Sequence, residues 1–205
     1  MVERQLRRRG IDDERVLAAM GEVPREEFVA PTHRRRAYAD SALPIGAGQT
    51  ISQPWIVAAI CQALALQGHE RVLEVGTGSG YSAAVLARLA AEVITLERHP
   101  ELAEEAREVL SRLGFANVEV VVGDGSLGLP ERAPFEAIAV HATAPAPPAR
   151  LLSQLAEGGR LVVPVASRGA DILTAYRRRG EELESFVIGP CRFVPLIGDE
   201  GYSEE

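Results

Sequence analysis

Apolar runs and amphipathic stretches alternate along most of the chain. Runs rich in β-branched residues predict five strands, at 71–76, 92–97, 118–124, 135–141 and 160–165. Stretches with apolar residues at helical spacing lie between them, at 81–90, 100–114 and 151–159. This repetition is typical of an α/β fold, in which a doubly wound, mostly parallel sheet carries helices on both faces.

The two ends of the chain depart from this pattern. Residues 1–36 read as short polar helices, with Asp12 as a candidate cap for the helix that follows it. Near the other end, "DILTAYRRRGEELESFVIG" predicts a hairpin with Gly180 in its turn, and therefore an antiparallel edge. We expect one domain over 1–205, with a helical flank at 1–45 and a catalytic core at 46–205.

The amino-acid composition excludes several classes of function. A chain of 205 residues with 46% hydrophobic content is long enough for one well-filled core. The net charge of −7 argues against nucleic acid as a partner, and all 22 basic residues are Arg, which excludes lysine Schiff-base chemistry. The sequence has no leader pattern, no long apolar stretch and no paired cysteine motif. We expect a cytoplasmic monomer that binds neither membrane nor metal.

A glycine-rich stretch follows the first predicted strand of the core. In "VLEVGTGSGY", Gly76, Gly78 and Gly80 stand between a buried strand and a helix, where a doubly wound sheet binds its ligand. The spacing is G-x-G-x-G, whereas a dinucleotide fingerprint requires G-x-G-x-x-G. An NAD-dependent oxidoreductase is therefore disfavoured.

Acidic residues lie at three successive strand ends. Glu74 is inside the first strand, Glu97 ends the second, about 20 residues after the loop, and Asp124 follows the third. We expect Glu97 to bind ribose hydroxyls and Asp124 to reach an adenine amino group. Glu74 suits a cation or the hydrogen-bonding groups of the loop. Glu74 and Glu97 together suit an uncharged sugar and a sulfonium.

These features resemble class I S-adenosylmethionine-dependent methyltransferases, and the likeness extends to one family. In order along nearly the whole chain, the sequence is similar to protein-L-isoaspartate O-methyltransferases in "VPREEFV", "AYADSALPIGAGQTISQPWIVA", "VLEVGTGSGYSAAVLARL", "GDGSLGLPERAPFEAIAV", "QLAEGGRLVVPV" and "RFVPLIG". The resemblance implies a Rossmann-like fold and S-adenosyl-L-methionine as cofactor, with S-adenosyl-L-homocysteine as product. The acceptor would be the carboxylate of an L-isoaspartyl or D-aspartyl residue in a damaged protein, repaired through a succinimide.

The resemblance also assigns roles to residues. Those expected to bind the cofactor are Glu74, Gly76, Thr77, Gly78, Ser79, Gly80, Glu97, Arg98, Asp124 and Gly125. Those expected to bind the substrate are Gln49, Ser52, His141 and Ala142, with Ser52 and Thr50 as catalytic residues. His141 stands where the family commonly has threonine. It is either a polar contact to the substrate or a neutral exchange at a loop position, and we favour the neutral exchange.

The stretch "GAGQTISQPW" (residues 46–55, called the elbow below) contains no charged side chain. An isoaspartyl carboxylate is already ionised at pH 7, so it needs orientation rather than a general base. The hydroxyls of Thr50 and Ser52 can orient its oxygen without the strong ground-state stabilisation that an arginine would give. The alternative role of Ser52 is to cap the helix that follows.

Two other functions remain open. A relative that methylates an ordinary aspartate of a dedicated peptide would use the same elbow. A non-catalytic S-adenosylmethionine-binding module would keep the glycine loop and lose the elbow, so the intact elbow argues against it.

Overall fold

The computed structural model describes residues 1–204. Short 3₁₀ and π-helical turns make up much of the first 36 residues. The α-helices are α1 (Glu14–Glu22), α2 (Pro54–Leu64), α3 (Tyr81–Ala87), α4 (Pro100–Arg112) and α5 (Ala149–Ser153). The strands are β1 (Leu43–Pro44), β2 (Thr50–Ile51), β3 (Arg71–Val75), β4 (Glu92–Glu97), β5 (Val118–Val122), β6 (Phe135–Val140), β7 (Leu155–Val165), β8 (Asp171–Arg179) and β9 (Glu182–Cys191). None of the helices within residues 1–204 is long and apolar enough to cross a membrane.

The main sheet of the described residues has seven strands in the order β5-β4-β3-β6-β7-β8-β9. The pairs from β5 through β7 are parallel, and β8 and β9 add antiparallel to that edge. Gly180 occupies the turn of the β8–β9 hairpin with a φ of +61°. The predicted doubly wound, mostly parallel sheet and its antiparallel C-terminal edge are confirmed.

Strand β3 is the point where the order of the strands reverses. It pairs with β4 on one side and with β6 on the other, so the chain leaves it toward opposite halves of the sheet. Loops that follow such neighbouring strands separate and leave a crevice at their carboxyl ends. The fold therefore places the ligand site beside the loops that follow β3, β4 and β6.

Two apolar clusters cover the two faces of the sheet. Val72 and Val93 belong to the cluster that contains α2, α3 and Leu6 of the N-terminal flank. Leu73, the next residue along β3, belongs to the second cluster together with Leu151 of α5. Successive side chains of a strand point to opposite faces, which explains this division. The parallel strands are thus buried on both sides, as their continuous apolar sequence requires.

The N-terminal flank is joined to the core by a two-stranded ribbon. Strand β1 pairs antiparallel with β2, so the predicted division at residue 45 falls in the turn between them. Leu6 and Met20 of the flank are completely buried in the same apolar cluster as α2 and α3. The helices of the flank, which look polar in the sequence, therefore bury an apolar side against the core.

The helix predicted over 151–159 is wrong in its second half. Helix α5 ends at Ser153, and strand β7 begins at Leu155. Between them, the Gln154 amide donates to the carbonyl oxygens of Leu127 and Arg150 at 2.8 and 3.1 Å. Two glycines at 158 and 159 also disfavour a helix, and the segment extends into the sheet instead.

The cap of α1 is Asp13 and not Asp12, so that prediction is wrong by one residue. The Asp13 carboxylate accepts hydrogen bonds from the backbone N–H groups of Arg15 at 2.9 Å and Val16 at 3.3 Å. Asp12 lies one position too early for this geometry, and its own N–H donates to the Gln62 side chain at 2.8 Å.

Replacing this cap should lower the stability of the protein. We expect Asp13→Ala to reduce the free energy of unfolding by about 1 kcal/mol, because two N–H groups at the start of α1 lose their acceptor. Urea denaturation followed by circular dichroism measures the change. Asp12→Ala is the matched control and should cost clearly less; an equal loss in the two variants would contradict the assignment of the cap.

Candidate active site

A cavity of about 300 Å³ opens at the carboxyl ends of the central strands. Its walls come from the elbow, from the loops after β3, β4 and β6, and from a segment close to the C-terminus. The residues that line it are Gly48, Gln49, Thr50, Ile51, Ser52, Val57, Val75, Gly76, Thr77, Gly78, Ser79, Tyr81, Ser82, Leu96, Glu97, Arg98, His99, Gly125, His141, Ala142, Val194, Pro195, Leu196 and Ile197.

The glycine loop is bonded to the neighbouring strand β4. The Leu96 carbonyl accepts the N–H groups of Gly76 at 2.9 Å and Thr77 at 3.2 Å. At the end of the loop, Gly80 has a φ of +84°, and a Cβ there would lie 3.3 Å from side-chain atoms of Ala106 and Leu110. Glycine tolerates the positive φ and leaves room for these two side chains, so α3 can begin close against α4.

Glu97 presents a carboxylate to the cavity and is held in a fixed orientation. One of its oxygens accepts the N–H of Gly78 at 2.8 Å, and the other accepts the N–H of His99 at 3.0 Å. The side chain is only 5% exposed. A carboxylate oxygen has two lone pairs, so both oxygens can still accept hydrogen bonds from a ligand. This acceptor-only group fits a ribose diol, and its charge fits a sulfonium.

His99 offers a second polar group at the same wall. Its Nε2 atom is buried and lacks a hydrogen-bond partner within residues 1–204. Buried polar atoms are normally paired, so an unpaired ring nitrogen on the cavity wall points to a ligand that supplies the partner. The Glu97 carboxylate and the His99 imidazole are therefore polar groups that fit the predicted cofactor.

The structure brings together most of the residues predicted for the site. Three of them are not among the residues that line the cavity: Glu74, Gly80 and Asp124. The predicted residues that do line it are Gln49, Thr50, Ser52, Gly76, Thr77, Gly78, Ser79, Glu97, Arg98, Gly125, His141 and Ala142.

Glu74 lies beneath the glycine loop and has no exposed surface. Its carboxylate accepts the Thr95 hydroxyl at 2.6 Å, and the Thr95 hydroxyl is in turn 2.6 Å from that of Thr77. Its other oxygen is 3.3 Å from Nε2 of His141. The structure places Glu74 in a buried network that supports the loop, because its side chain contacts the neighbouring strands rather than the cavity.

His141 lies at the end of β6 and joins the same network. Its Nε2 atom is 2.8 Å from the Ser82 hydroxyl, and its backbone N–H donates to the Val75 carbonyl at 2.8 Å. The Nε2 atom of the imidazole thus faces protein groups, the Ser82 hydroxyl and the Glu74 carboxylate. A side chain held in this way suits a bracing role better than a mobile contact to a substrate.

Asp124 binds the C-terminal segment of the chain. Its carboxylate accepts the N–H and hydroxyl of Ser126 at 2.8 and 2.7 Å and the N–H of Asp199 at 2.8 Å. Burial raises the pKa of this carboxyl, but the hydrogen bonds outweigh burial and hold its pKa below the ordinary value. Asp124 therefore stays ionised and fixes the loop around residue 199 beside the site.

The first part of the elbow is a tight turn between β1 and β2. Ala47 and Gly48 both have positive φ, and the N–H of Ile45 donates to the Gln49 carbonyl at 2.9 Å. After this turn the chain passes Ser52 and enters helix α2, whose cap position is Gln53. The alternative role of Ser52 as the helix cap is therefore wrong.

Several residues of the site were not predicted from the sequence. Tyr81 and Ser82 open helix α3 and line the cavity, and their signal was their position directly after the glycine loop. Burial raises the pKa of Tyr81 far above its ordinary value, so its hydroxyl stays neutral. The C-terminal wall lies within "RFVPLIG", which contributed to the family resemblance but was given no role in the site. It is held by the backbone of Thr143, which exchanges hydrogen bonds of 2.8 Å with Val194 and Leu196.

The sheet order, the glycine loop after the central strand and the acidic end of the next strand define a Rossmann-like class I methyltransferase. Residues 1–201 match the family described as protein-L-isoaspartate(D-aspartate) O-methyltransferase (PCMT). The chain belongs to this family.

Similar proteins agree with this assignment along the whole chain. The protein-L-isoaspartate O-methyltransferase of Koribacter versatilis (strain Ellin345) is 53% identical over 203 residues, which are 99% of this chain and 91% of that protein. Protein-L-isoaspartate O-methyltransferase 2 of Marinobacter nauticus is 56% identical over 204 residues, covering 98% of this chain and 93% of that protein.

Solved structures agree as well. A protein-L-isoaspartate O-methyltransferase structure superposes with a TM-score of 0.86 at 31% identity, covering 98% of this chain and 67% of that one. A Plasmodium falciparum protein assigned to the same activity, in complex with S-adenosyl-L-homocysteine, gives a TM-score of 0.81 at 26% identity, with 93% and 94% covered.

The position of Glu97 leads to a prediction about cofactor binding. Glu97→Ala should weaken binding of S-adenosyl-L-homocysteine by about 1–3 kcal/mol, because charge-assisted hydrogen bonds to hydroxyl groups are lost. Isothermal titration calorimetry measures the affinity. Glu92→Ala, at the opposite end of β4 where the carboxylate pairs with Arg71, is the matched control and should bind normally. Equal affinity of the two variants would remove Glu97 from the site.

Proposed function

We propose that this protein transfers a methyl group from S-adenosyl-L-methionine to the side-chain carboxylate of L-isoaspartyl or D-aspartyl residues in damaged proteins, which starts their repair through a succinimide. The observation that carries this proposal is the composition of the cavity wall. The uncharged elbow and the Glu97 carboxylate line one cavity, so one part suits an anionic acceptor and another a cationic donor. Family membership points to the same reaction.

The elbow acts by positioning. The acceptor carboxylate has a pKa near that of ordinary carboxyls and is ionised at neutral pH, so a proton need not be removed before it reacts. The hydroxyls of Thr50 and Ser52 and nearby backbone N–H groups orient one oxygen of that carboxylate. Neutral donors release the oxygen more readily than an arginine would, because the negative charge disappears as the ester forms. Holding the reacting groups in line supplies the rate enhancement.

The wall formed by the glycine loop and the end of β4 would hold the cofactor. When bound, S-adenosyl-L-methionine supplies an electrophilic methyl group. The Glu97 carboxylate would accept hydrogen bonds from the ribose hydroxyls, and the other residues of this wall would contact the remainder of the cofactor. They are Gly76, Thr77, Gly78, Ser79, Arg98 and Gly125. Glu74, Gly80 and Asp124 contribute indirectly, by supporting the loops that carry these groups.

The acceptor peptide would approach Gln49, Ser52 and Ala142. His141 lines the same part of the cavity, but its Nε2 atom lies 2.8 Å from the Ser82 hydroxyl and 3.3 Å from the Glu74 carboxylate, which makes it a brace rather than a proton donor or acceptor in the reaction. We further propose that the protein works as a monomer in the cytoplasm and takes damaged proteins, rather than nucleic acid or membrane lipids, as its partners.

The choice of acceptor can be tested with paired peptides. Two peptides that differ only in isoaspartate versus aspartate at one position should differ strongly in base-labile methyl ester formation, with the isoaspartyl peptide preferred. Equal or preferred methylation of the aspartyl peptide would support an enzyme for ordinary aspartate instead. Binding of S-adenosyl-L-homocysteine without methylation of either peptide would support the non-catalytic module.

The role of the elbow hydroxyl can be tested with Ser52→Ala. We expect a loss of about 1–3 kcal/mol of transition-state stabilisation, seen mainly in kcat, because one orienting hydrogen bond is removed. The affinity for S-adenosyl-L-homocysteine should stay nearly the same. The pH dependence of kcat should keep its shape, since a positioning group does not titrate.

His141→Thr is the control for this test, because it places the residue common in the family at the end of β6. We expect it to keep turnover, with a modest change in peptide affinity. If His141→Thr abolishes turnover while Ser52→Ala leaves it intact, the positioning mechanism is wrong and the imidazole takes part in catalysis.

A further inference from the structure

Arg25 is an arginine that is completely buried behind the elbow. Its side chain has no exposed surface, which makes it one of the largest fully buried side chains of the described residues. Its Nε donates to the Ala37 carbonyl and its Nη2 to the Ser52 carbonyl, both at 2.7 Å. The guanidinium carbon lies 4.7 Å from the centre of the Tyr81 ring, within the range of a cation–π contact.

The charge of this arginine is poorly compensated. Its partners are two carbonyl oxygens and an aromatic ring, with no carboxylate among them in the part of the chain that the structure describes. Its Nη1 is also buried without a hydrogen-bond partner within that part. Burying a cation in this way costs stability, and a well-packed apolar side chain would fill the space more cheaply. A residue kept at such a cost calls for a role beyond packing.

The contacts of Arg25 identify that role. Ser52 and Tyr81 both line the cavity, and they belong to the elbow and to the first turn of α3. Ala37 lies in the N-terminal flank, before the ribbon that leads into the elbow. The planar fork of a guanidinium can bind two carbonyls in fixed directions, whereas a lysine ammonium cannot hold both with the same geometry. Arg25 thus ties the elbow to the flank and to α3 at one point.

We propose that Arg25 is the positioning residue of the elbow: it fixes the backbone at Ser52, and thereby the hydroxyl that orients the acceptor carboxylate. This inference rests on the proposed function. The guanidinium acts from behind the elbow and does not contact the acceptor.

This arrangement resolves a conflict between binding and reaction. A guanidinium in direct contact with the acceptor would stabilise its carboxylate before the reaction and lose that interaction as the ester forms, which opposes catalysis. A cation that holds the carbonyl of Ser52 instead fixes the position of neutral donors. The positive charge of Arg25 also attracts an anion in the cavity, but more weakly than a direct ion pair would.

The test uses two variants of Arg25 in the full chain. Arg25→Met keeps the approximate volume and removes both the charge and the donors, while Arg25→Lys keeps the charge and loses the fork. We expect kcat for an isoaspartyl peptide to fall by about ten- to a hundredfold in both, because a small displacement of an orienting group is enough for such a loss. The affinity for S-adenosyl-L-homocysteine should change by less than about threefold. Each kcat is calculated from the concentration of sites that bind S-adenosyl-L-homocysteine, so unfolded protein does not lower the value.

A double variant separates positioning from a general effect on the fold. If Arg25 acts through Ser52, then Ser52→Ala combined with Arg25→Met should be about as slow as the slower single variant, because coupled residues are not additive. Additive losses would contradict the proposal. Failure of both single variants to bind S-adenosyl-L-homocysteine would also overturn it, since Arg25 would then serve the fold alone.

Arg160→Met is the matched control. Arg160 is partly buried, so its pKa is lowered by burial, and like Arg25 it donates to a backbone carbonyl, that of Leu64 at 3.0 Å, but it does not line the cavity. It should keep normal kcat. If the Arg25 variants behave like this control while the wild type methylates the isoaspartyl peptide, only the inference about Arg25 fails. If the wild type itself does not methylate that peptide, the proposed function fails.

Discussion

Four hydrogen bonds between the glycine loop and strand β4 hold the site together, and one of them joins the hydroxyls of Thr77 and Thr95. The Leu96 carbonyl accepts two N–H groups at the start of the loop, and the Glu97 carboxylate accepts the N–H of Gly78. The same bonds that fold the loop therefore also orient the carboxylate that faces the cavity. Because β4 is paired along its length with β3, the loop and Glu97 cannot move independently. The shape of the ligand site follows from the pairing of these strands.

Charge is distributed around the cavity according to what each wall must do. Beneath the loop, one oxygen of the buried Glu74 carboxylate accepts the Thr95 hydroxyl and the other lies 3.3 Å from the His141 imidazole, so these contacts offset part of the cost of its burial. On the cavity wall, Glu97 carries a negative charge, whereas the elbow has no charged side chain. The cation nearest the elbow, Arg25, contacts its backbone from behind. Strong fields are thus kept away from the oxygen that reacts.

The fold was predictable from the sequence because parallel strands buried on both faces read as continuous apolar runs, and helices covering them show their own period. The predictions that were wrong concern the ends of single elements. The cap of α1 was misplaced from Asp13 to Asp12, since both residues have the right side chain and only the backbone path selects one. Likewise β7 begins at Leu155, because pairing with β6 prevails over a weak helical pattern at 155–159.

The sequence by itself determined which loops follow the strands and which functional groups those loops contain. The glycine loop, Glu97 and the elbow are short, contiguous stretches, so they can be read directly from the sequence. Tertiary structure decided which acidic side chains reach the cavity. Glu74 and Asp124 share a strand-end pattern with Glu97, but the first points among the neighbouring strands and the second binds the loop around residue 199. It also decided that Arg25 lies behind Ser52, a contact across 27 residues. Such contacts depend on packing between segments that are distant in the sequence, so the local pattern of apolar and polar residues does not predict them.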